Sequence, residues 1–502
     1  MRSLLLGIDV GTTGTKSLLL DGTGQIVSEA YRSYKLNRPR PLHVEQDANE
    51  WWQAVTETVR ECLLNVDASD VVALSISAQG GALVAVDEVG IPLAPARSWL
   101  DRRAVAEEEE LEQIFTRRGI YDRTGWRLYS AYNCVQLLNM KHTQPELFSQ
   151  ARYFFGTADY IYFKLTGLAV IDRNSAGITQ LMDVHTQNWD VEILRAIGVD
   201  SYNLPILISS GSSIGMVSEE AATQLGLPTT VQVIAGGHDQ YCAALGAGVI
   251  SGGDLLISTG TAWVVLGITD ELLPDVRTNF GVGSHVVATK FGAFGSFRNG
   301  GVCLDWIRGV LGDRGEPLSY SELEASVQEI PAGTEGLLFF PHFDGTTTPT
   351  WSDQSAGSFI GLELRHGSEH LIRAVMEGVC FELRTVFDTF AESYPTVVRI
   401  RVLGGAAKSP TWTQMMADVL GQEIEVPEVV HSACIGAAIL AGVGSGLFAD
   451  AGRGFDAMNI AIHKWKPGNN SHTYAHTYKK YQAYSHALKN AYESIESDAF
   501  HV

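Results

Sequence analysis

The 502-residue chain is predicted to be an α/β protein of two domains. Three observations carry that expectation. The length exceeds what a single hydrophobic core supports. Helical and strand patterns alternate through most of the chain. A strand–turn–strand hairpin with Gly and Thr at its bend occurs at Leu4 and again at Asp254.

The elements follow in order. Leu4–Ile8 is an apolar run of strand length, followed by Asp9-Val10-Gly11-Thr12-Thr13-Gly14-Thr15-Lys16, then by Ser17–Leu20 and a turn at Asp21-Gly22. Asn49–Leu64 has helical period, with Trp52, Val55, Val59 and Leu63 on one face. Val71–Ser77, Leu83–Asp87 and Val231–Ala235 read as strands, the last leading through Gly236-Gly237-His238-Asp239 into a small-residue helix. Asp254–Ser258, Thr259-Gly260-Thr261 and Ala262–Ile268 form the second hairpin, and a weak internal duplication explains the likeness economically. Leu371 to Phe390 recurs at helical spacing, Arg399–Leu403 is a strand entering Gly404-Gly405, and Thr411–Leu420 is a helix. Gly and Ala crowd Cys434–Gly446, as in a helix packed closely on its neighbour. The expected domains are residues 1–245 and 246–502.

Composition prunes function more than it selects it. An apolar share of 45% and a charged share of 19% are those of an ordinary globular protein. A net charge of -21 argues against a nucleic-acid partner, which needs a basic surface. No pair among Cys62, Cys134, Cys242, Cys303, Cys380 and Cys434 has the C-x-x-C spacing of a zinc or redox site. Asp9 interrupts the first apolar run well short of a secretory signal, and no apolar stretch is long enough for a membrane span. A cytoplasmic location without membrane association is expected, and a homodimer is left open.

Two Gly/Thr turns present backbone N–H groups and hydroxyls with little obstruction, as a polyphosphate requires. Asp9, ending a buried strand, is suited to hold Mg²⁺ through its waters, and Lys16 lies across the hairpin to neutralise charge. A tight hairpin without a ligand is the commoner meaning of one such turn; two together, at Gly11–Thr13 and Gly260–Thr261, carry more weight. Asp239 leaves a strand at the carboxyl edge of a sheet, where α/β proteins bind ligands. By spacing alone it reads first as a helix N-cap, and second as a carboxylate accepting a proton during phosphoryl transfer. Gly404-Gly405-Ala406-Ala407-Lys408-Ser409 lets a planar ligand approach the backbone, although strand–glycine–helix turns are common. Gln79 and Trp99-Leu100-Asp101 offer polar groups and an indole for a sugar; the plain alternative is a salt bridge beside a core tryptophan.

Along nearly its whole length the chain resembles the FGGY carbohydrate kinases. Asp9–Lys16 is similar to that family's first phosphate loop, D-x-G-T-x-x-x-K, and Gly236-Gly237-His238-Asp239-Gln240 to its G-G-x-D-[NQ] segment. Gly404–Ser409, with Trp412, Gln414, Ala417 and Asp418, resembles the adenosine segment. Gly357-Ser358-Phe359-Ile360-Gly361-Leu362, His370-Leu371 and Ala374-Val375-Met376-Glu377 fit the C-terminal signature. The resemblance implies two actin-like, ribonuclease H-type domains with ATP and sugar in the cleft between them. It makes Asp239 the catalytic base, with Asp9 and Asp239 toward Mg²⁺. It lays Gly404, Gly405 and Ser409 against the adenosine.

Val44-Glu45-Gln46-Asp47, Trp51-Trp52 and Trp99-Leu100-Asp101 resemble stretches of xylulokinases, so a ketopentose is the expected acceptor, with Gln79, Trp99 and Asp101 as its contacts. The chain departs from them at Gln79-Gly80-Gly81-Ala82, where Q-M-H-G is usual, so a histidine is missing. Ser77-Ala78-Gln79-Gly80 and Asp101-Arg102-Arg103-Ala104 look like L-xylulose kinases instead. Gln136 replaces a usual lysine, and Thr346-Thr347 a Glu-Arg pair. L-xylulose, ribulose, glycerol and erythritol therefore stand as alternative acceptors. The rival reading from another class is a non-kinase, actin-like nucleotide-binding protein.

Overall fold

The computed structural model describes residues 3–312, 316–394 and 396–499. Leu4–Val10 (β1) and Gly14–Asp21 (β2) form the first hairpin, continued by Ile26–Ser33 (β3). Helix α1 (Ala48–Cys62) is capped by Asp47, whose carboxylate accepts the N–H of Asn49, and it buries Trp51, Trp52, Val55 and Val59. It returns the chain to Val71–Ala78 (β4), which pairs parallel to β1. Ser213–Met216 (β5) and Gln232–His238 (β6) complete a six-stranded sheet of order β5-β6-β4-β1-β2-β3. Helix α2 (Asp239–Gly246) leaves it at the end of β6.

The second half repeats this plan. Asp254–Thr259 (β7) and Trp263–Thr269 (β8) make the second hairpin, flanked by Gly281–Ser284 (β9) and Phe291–Phe297 (β10). The long helix α3 (Ser368–Ser393) leads to Arg399–Gly404 (β11), parallel to β7. Helix α4 (Pro410–Leu420), Ile424–Pro427 (β12), helix α5 (Ser432–Gly444), Ile462–Trp465 (β13) and helix α6 (Ser471–Ala499) follow. The sheet order is β9-β10-β8-β7-β11-β12-β13, so in each half the first hairpin strand, β1 or β7, lies between its antiparallel partner and a parallel strand, β4 or β11.

The two sheets meet across α2 and α5. Leu5, Leu18 and Leu20 of the first sheet and Leu256, Val264, Leu266 and Ile268 of the second share one core with Cys242, Leu245, Ile435 and Ile439 of the two helices. Backbones touch there: a Cβ on Gly436 would lie 1.9 Å from the Cys242 carbonyl oxygen, and one on Gly246 1.9 Å from that of Ser432. The small-residue run at Cys434–Gly446 thus packs closely, as its composition suggests.

Helix α3 carries charge inward. Arg373 donates to Glu377 (2.9 Å) and Tyr474 (2.9 Å), while Thr334 and the N–H of Gly333 complete the Glu377 carboxylate. All six cysteines are buried and unpaired. Among the described residues no helix is long and apolar enough to cross a membrane.

Candidate active site

The register of the first sheet sets Asp9 opposite Lys16 on β2 and opposite Ser77 on β4. The Ser77 hydroxyl donates to Asp9 Oδ1 at 2.7 Å. Burial pushes the Asp9 carboxyl up to about 7, the negative charge of Asp239 pushes the same way, and Ser77 and Lys16 oppose them. Asp239 begins α2 with 29% of its side chain open to solvent. Its Oδ1 accepts the N–H of Gln240 at 2.6 Å, and burial still holds its carboxyl up at about 6.

The helix N-cap is His238, not Asp239, since the Gln240 N–H also reaches His238 Nδ1 at 3.3 Å. Burial lowers the His238 imidazole to about 4, so it is neutral near pH 7. Its approach to Asp239, 3.2 Å from Nδ1 to Oδ1, is therefore not an ion pair.

The first turn is braced from below. The Gly11 N–H donates to the Gly14 carbonyl, Tyr34 donates to the carbonyl of Gly11 at 2.6 Å, and Gln46 donates to that of Thr12 at 2.8 Å. Neither Thr12 N–H nor Thr13 N–H has an acceptor among the described residues. The same is true of Gly260 and Thr261 in the exposed second turn. Both turns thus keep amides free of an acceptor among the described residues, as an anion needs. Lys16 pairs with Asp9 across the hairpin, yet its ammonium donates to His431 Nδ1 at 2.9 Å. His431 is held below its usual range by burial and by Lys16. This contact ties β2 to the start of α5.

Three of the expected residues, Thr12, Gln79 and Trp99, form one connected wall through Gln46. The Trp99 indole N–H donates to the Thr12 hydroxyl at 2.9 Å, Gln79 donates to Gln46 at 2.9 Å, and Gln46 holds Thr12. Gln79 Oε1 is buried with no partner among the described residues. Trp99 backs onto Gly81, where a Cβ would stand 3.1 Å from its own. Asp101 differs: it is fully buried, and its oxygens take the N–H of Val44 (2.7 Å) and the Arg103 guanidinium (2.7 Å). It shapes the wall from behind.

On the other side of the cleft, Gly404 has φ 98°, and a Cβ there would meet the Thr259 carbonyl oxygen at 2.6 Å. Gly405 donates to that carbonyl at 2.9 Å, which keeps β11 tight against the second turn. The Ser409 hydroxyl accepts the N–H of Trp412 at 3.1 Å and caps α4.

Sequence reasoning missed Ser77, Tyr34 and His431, and gave Gln46 no site role. It also missed Asn174, whose amide oxygen receives the N–H of His238 (2.9 Å) while its NH₂ donates to Ser284 (2.6 Å). Gln46 and Ser77 lay in segments that had drawn notice; the others are brought in by pairing between distant strands and helices.

The oxygen donors fit a divalent cation. Asp9 and Asp239 are carboxylates close enough for the charge of one to disfavour ionisation of the other, and among the described residues no third acid joins them. Such a pair leaves coordination positions for waters and phosphate oxygens, as Mg²⁺ prefers.

Known proteins resemble this chain in sequence and in architecture. Residues 4–246 match the family model described as the FGGY family of carbohydrate kinases, N-terminal domain, and residues 255–445 match its C-terminal domain. The xylulose kinase of Bacillus subtilis (strain 168) is 31% identical over 446 residues, 88% of this chain and 89% of that protein. The gluconokinase of the same organism is 31% identical over 488 residues, 95% and 92%. The crystal structure of gluconate kinase from Lactobacillus acidophilus superposes with a TM-score of 0.92 at 26% identity, covering 99% of this chain and 100% of that one. That of xylulose kinase from Rhodospirillum rubrum gives 0.91 at 26% identity, covering 98% and 100%. The expected pair of actin-like domains is the fold of this protein. The chain belongs to the FGGY family of carbohydrate kinases.

Proposed function

We propose that the protein transfers the γ-phosphoryl group of MgATP to a terminal hydroxyl of an open-chain ketopentose of the xylulose type. One observation carries this reading: Asp239 is a partly open carboxylate poised near neutrality beside Asp9 and the open amides of the first turn. Asp239 accepts the hydroxyl proton as the oxygen attacks phosphorus, which suits a carboxyl held at about 6. The amides of Thr12, Thr13, Gly260 and Thr261 orient the phosphates, and Gly404 and Gly405 leave space for adenosine. Mg²⁺ held by Asp9 and Asp239 supplies charge neutralisation when bound. Gln79 and Trp99 line the sugar, Asp101 fixes their support, and a cytoplasmic enzyme acting on a small molecule follows from the same reading. The test is sugar-dependent ADP release across D-xylulose, L-xylulose, D-ribulose, glycerol and erythritol; turnover with none of the ketopentoses overturns the acceptor assignment.

A second acceptor, a six-carbon sugar acid, is favoured by a separate observation. Arg102, Arg127 and Arg298 gather around Tyr129 and Trp351, and Arg102 Nε and Arg298 Nη2 are buried without partners among the described residues. Guanidinium nitrogens so placed suit a carboxylate at the far end of the substrate. The gluconokinase named above is a relative of matching length. D-gluconate belongs in the same assay, and its turnover above that of every ketopentose would make this the reading to keep.

A further inference from the structure

We infer that His238 reads a substrate hydroxyl through Nε2, supplying from the end of β6 the imidazole that the Gln79-Gly80-Gly81 segment lacks. The inference rests on the reading that the sugar lies along Gly80, Gly81 and Trp99 beside Asp239.

The geometry comes first. Gly80 has no side chain, and the space above it is filled by the His238 ring: a Cβ on Gly80 would lie 2.3 Å from Cδ2 and 2.7 Å from Nε2. The imidazole is therefore the side chain of that part of the wall, although it belongs to another strand. It is fixed in orientation. Tyr241 and Phe294 meet it edge-on, with ring centroids at 5.9 Å and 6.1 Å and interplanar angles of 86° in both cases. Asn174 holds its backbone N–H at 2.9 Å. Such a locked ring has lost its rotamer freedom before any substrate arrives, which is what selective recognition requires.

The chemistry follows from the two ring nitrogens. Nδ1 faces the N–H of Gln240 at 3.3 Å and acts as the cap of α2. Nδ1 also lies 3.2 Å from Asp239 Oδ1, so that nitrogen is engaged on the protein side. Nε2 makes no hydrogen bond to the described residues. A ring nitrogen over Gly80, one residue before the base, is placed for a hydroxyl next to the one Asp239 deprotonates. A substrate lacking that hydroxyl leaves the nitrogen unpaired, which is how polar sites reject close analogues.

Two substitutions separate the nitrogens. In His238→Gln the amide group takes the position of Nε2; in His238→Asn it takes that of Nδ1. Binding of the preferred sugar of the wild type, drawn from D-xylulose, L-xylulose, D-ribulose, glycerol, erythritol and D-gluconate, is measured calorimetrically without ATP, and kcat and KM are measured with it. The expected result is that Asn weakens sugar binding about 10- to 100-fold, that Gln keeps it within a few-fold, and that the KM for ATP moves in neither. The reverse order, with Gln weak and Asn near wild type, identifies a capping role only and overturns the inference. Equal sugar affinity in both variants overturns it too. In wild-type protein labelled with ¹⁵N-histidine, a shift of the His238 Nε2 resonance on adding sugar alone supports the inference even where a variant folds poorly; no shift overturns it. A wild type that phosphorylates no sugar of the panel removes the underlying reading instead, and that outcome is visible before any variant is made.

Discussion

Replacing Asp9 by Asn is expected to stabilise the ligand-free protein while abolishing its activity, and the stabilisation is expected to grow with pH. The Asp9 carboxyl rises from 3.8 to about 7 on folding, chiefly through burial and then through the charge of Asp239. At about 1.4 kcal/mol per pH unit, ionising it in the folded state costs about 4 kcal/mol, and solvent reaching this partly open group reduces that to about 1–3 kcal/mol. The sign follows from proton binding. Between the two values the folded protein holds a proton that the unfolded chain has released, so stability falls as pH rises from about 4 to about 7. Asparagine carries no charge and can still accept the Ser77 hydroxyl. The melting temperature of the variant in EDTA should therefore exceed that of the wild type by more at pH 8 than at pH 5. MgATP should raise the wild type more than the variant, because the variant has lost a carboxylate ligand. A temperature difference that stays constant between the two pH values, or a wild type that is the more stable at pH 8, would refute the reasoning.

Three further outcomes are expected. Asp239→Asn should lower kcat by about 10²–10⁴ because the base is lost, and raise the KM for MgATP as well because a carboxylate toward Mg²⁺ is lost; wild-type turnover in a coupled ADP assay would count against the assignment. Gly436→Ala forces a methyl group to within 1.9 Å of the Cys242 carbonyl and should cost about 3 kcal/mol or more, read as a lower melting temperature or insoluble expression. Glu377→Ala leaves the Arg373 guanidinium buried and unpaired and should destabilise by about 3–5 kcal/mol in chemical denaturation, whereas Glu377→Gln, still able to accept hydrogen bonds, should cost less.

Both hairpins were legible in the sequence because a strand, a Gly/Thr bend and a second strand are local features. They lie at Leu4–Val10 with Gly14–Asp21 and at Asp254–Thr259 with Trp263–Thr269, within three residues of expectation. Helix α1 followed from its apolar period. What escaped was whatever depends on strands or helices far apart in the chain. Ser77 reaches Asp9 only through β1–β4 register, and His431 reaches Lys16 across more than four hundred residues. Asp101 was legible as a charged neighbour of Arg103, but its complete burial was not, because a salt bridge reads alike inside and outside a fold. The burial of polar residues on α3 was not legible for the same reason. Arg373 and Glu377 keep helical spacing with the apolar face, and only the return of Tyr474 on α6 shows why they are buried.

The seating of α5 bears on how the chain acquires its shape during synthesis. This helix is encoded near the end of the chain, yet it covers Leu5 and Ile234 of the first sheet and lets Gly7 approach the Cys434 carbonyl. A ribosome that has released only the first half has produced a sheet with one bare apolar face. That face must wait for about two hundred more residues, roughly ten to forty seconds at ordinary elongation rates. The first half is then a natural client for chaperones. Conversely, two separately expressed pieces, cut beside the exposed Ser251, should recover activity only when mixed before either aggregates.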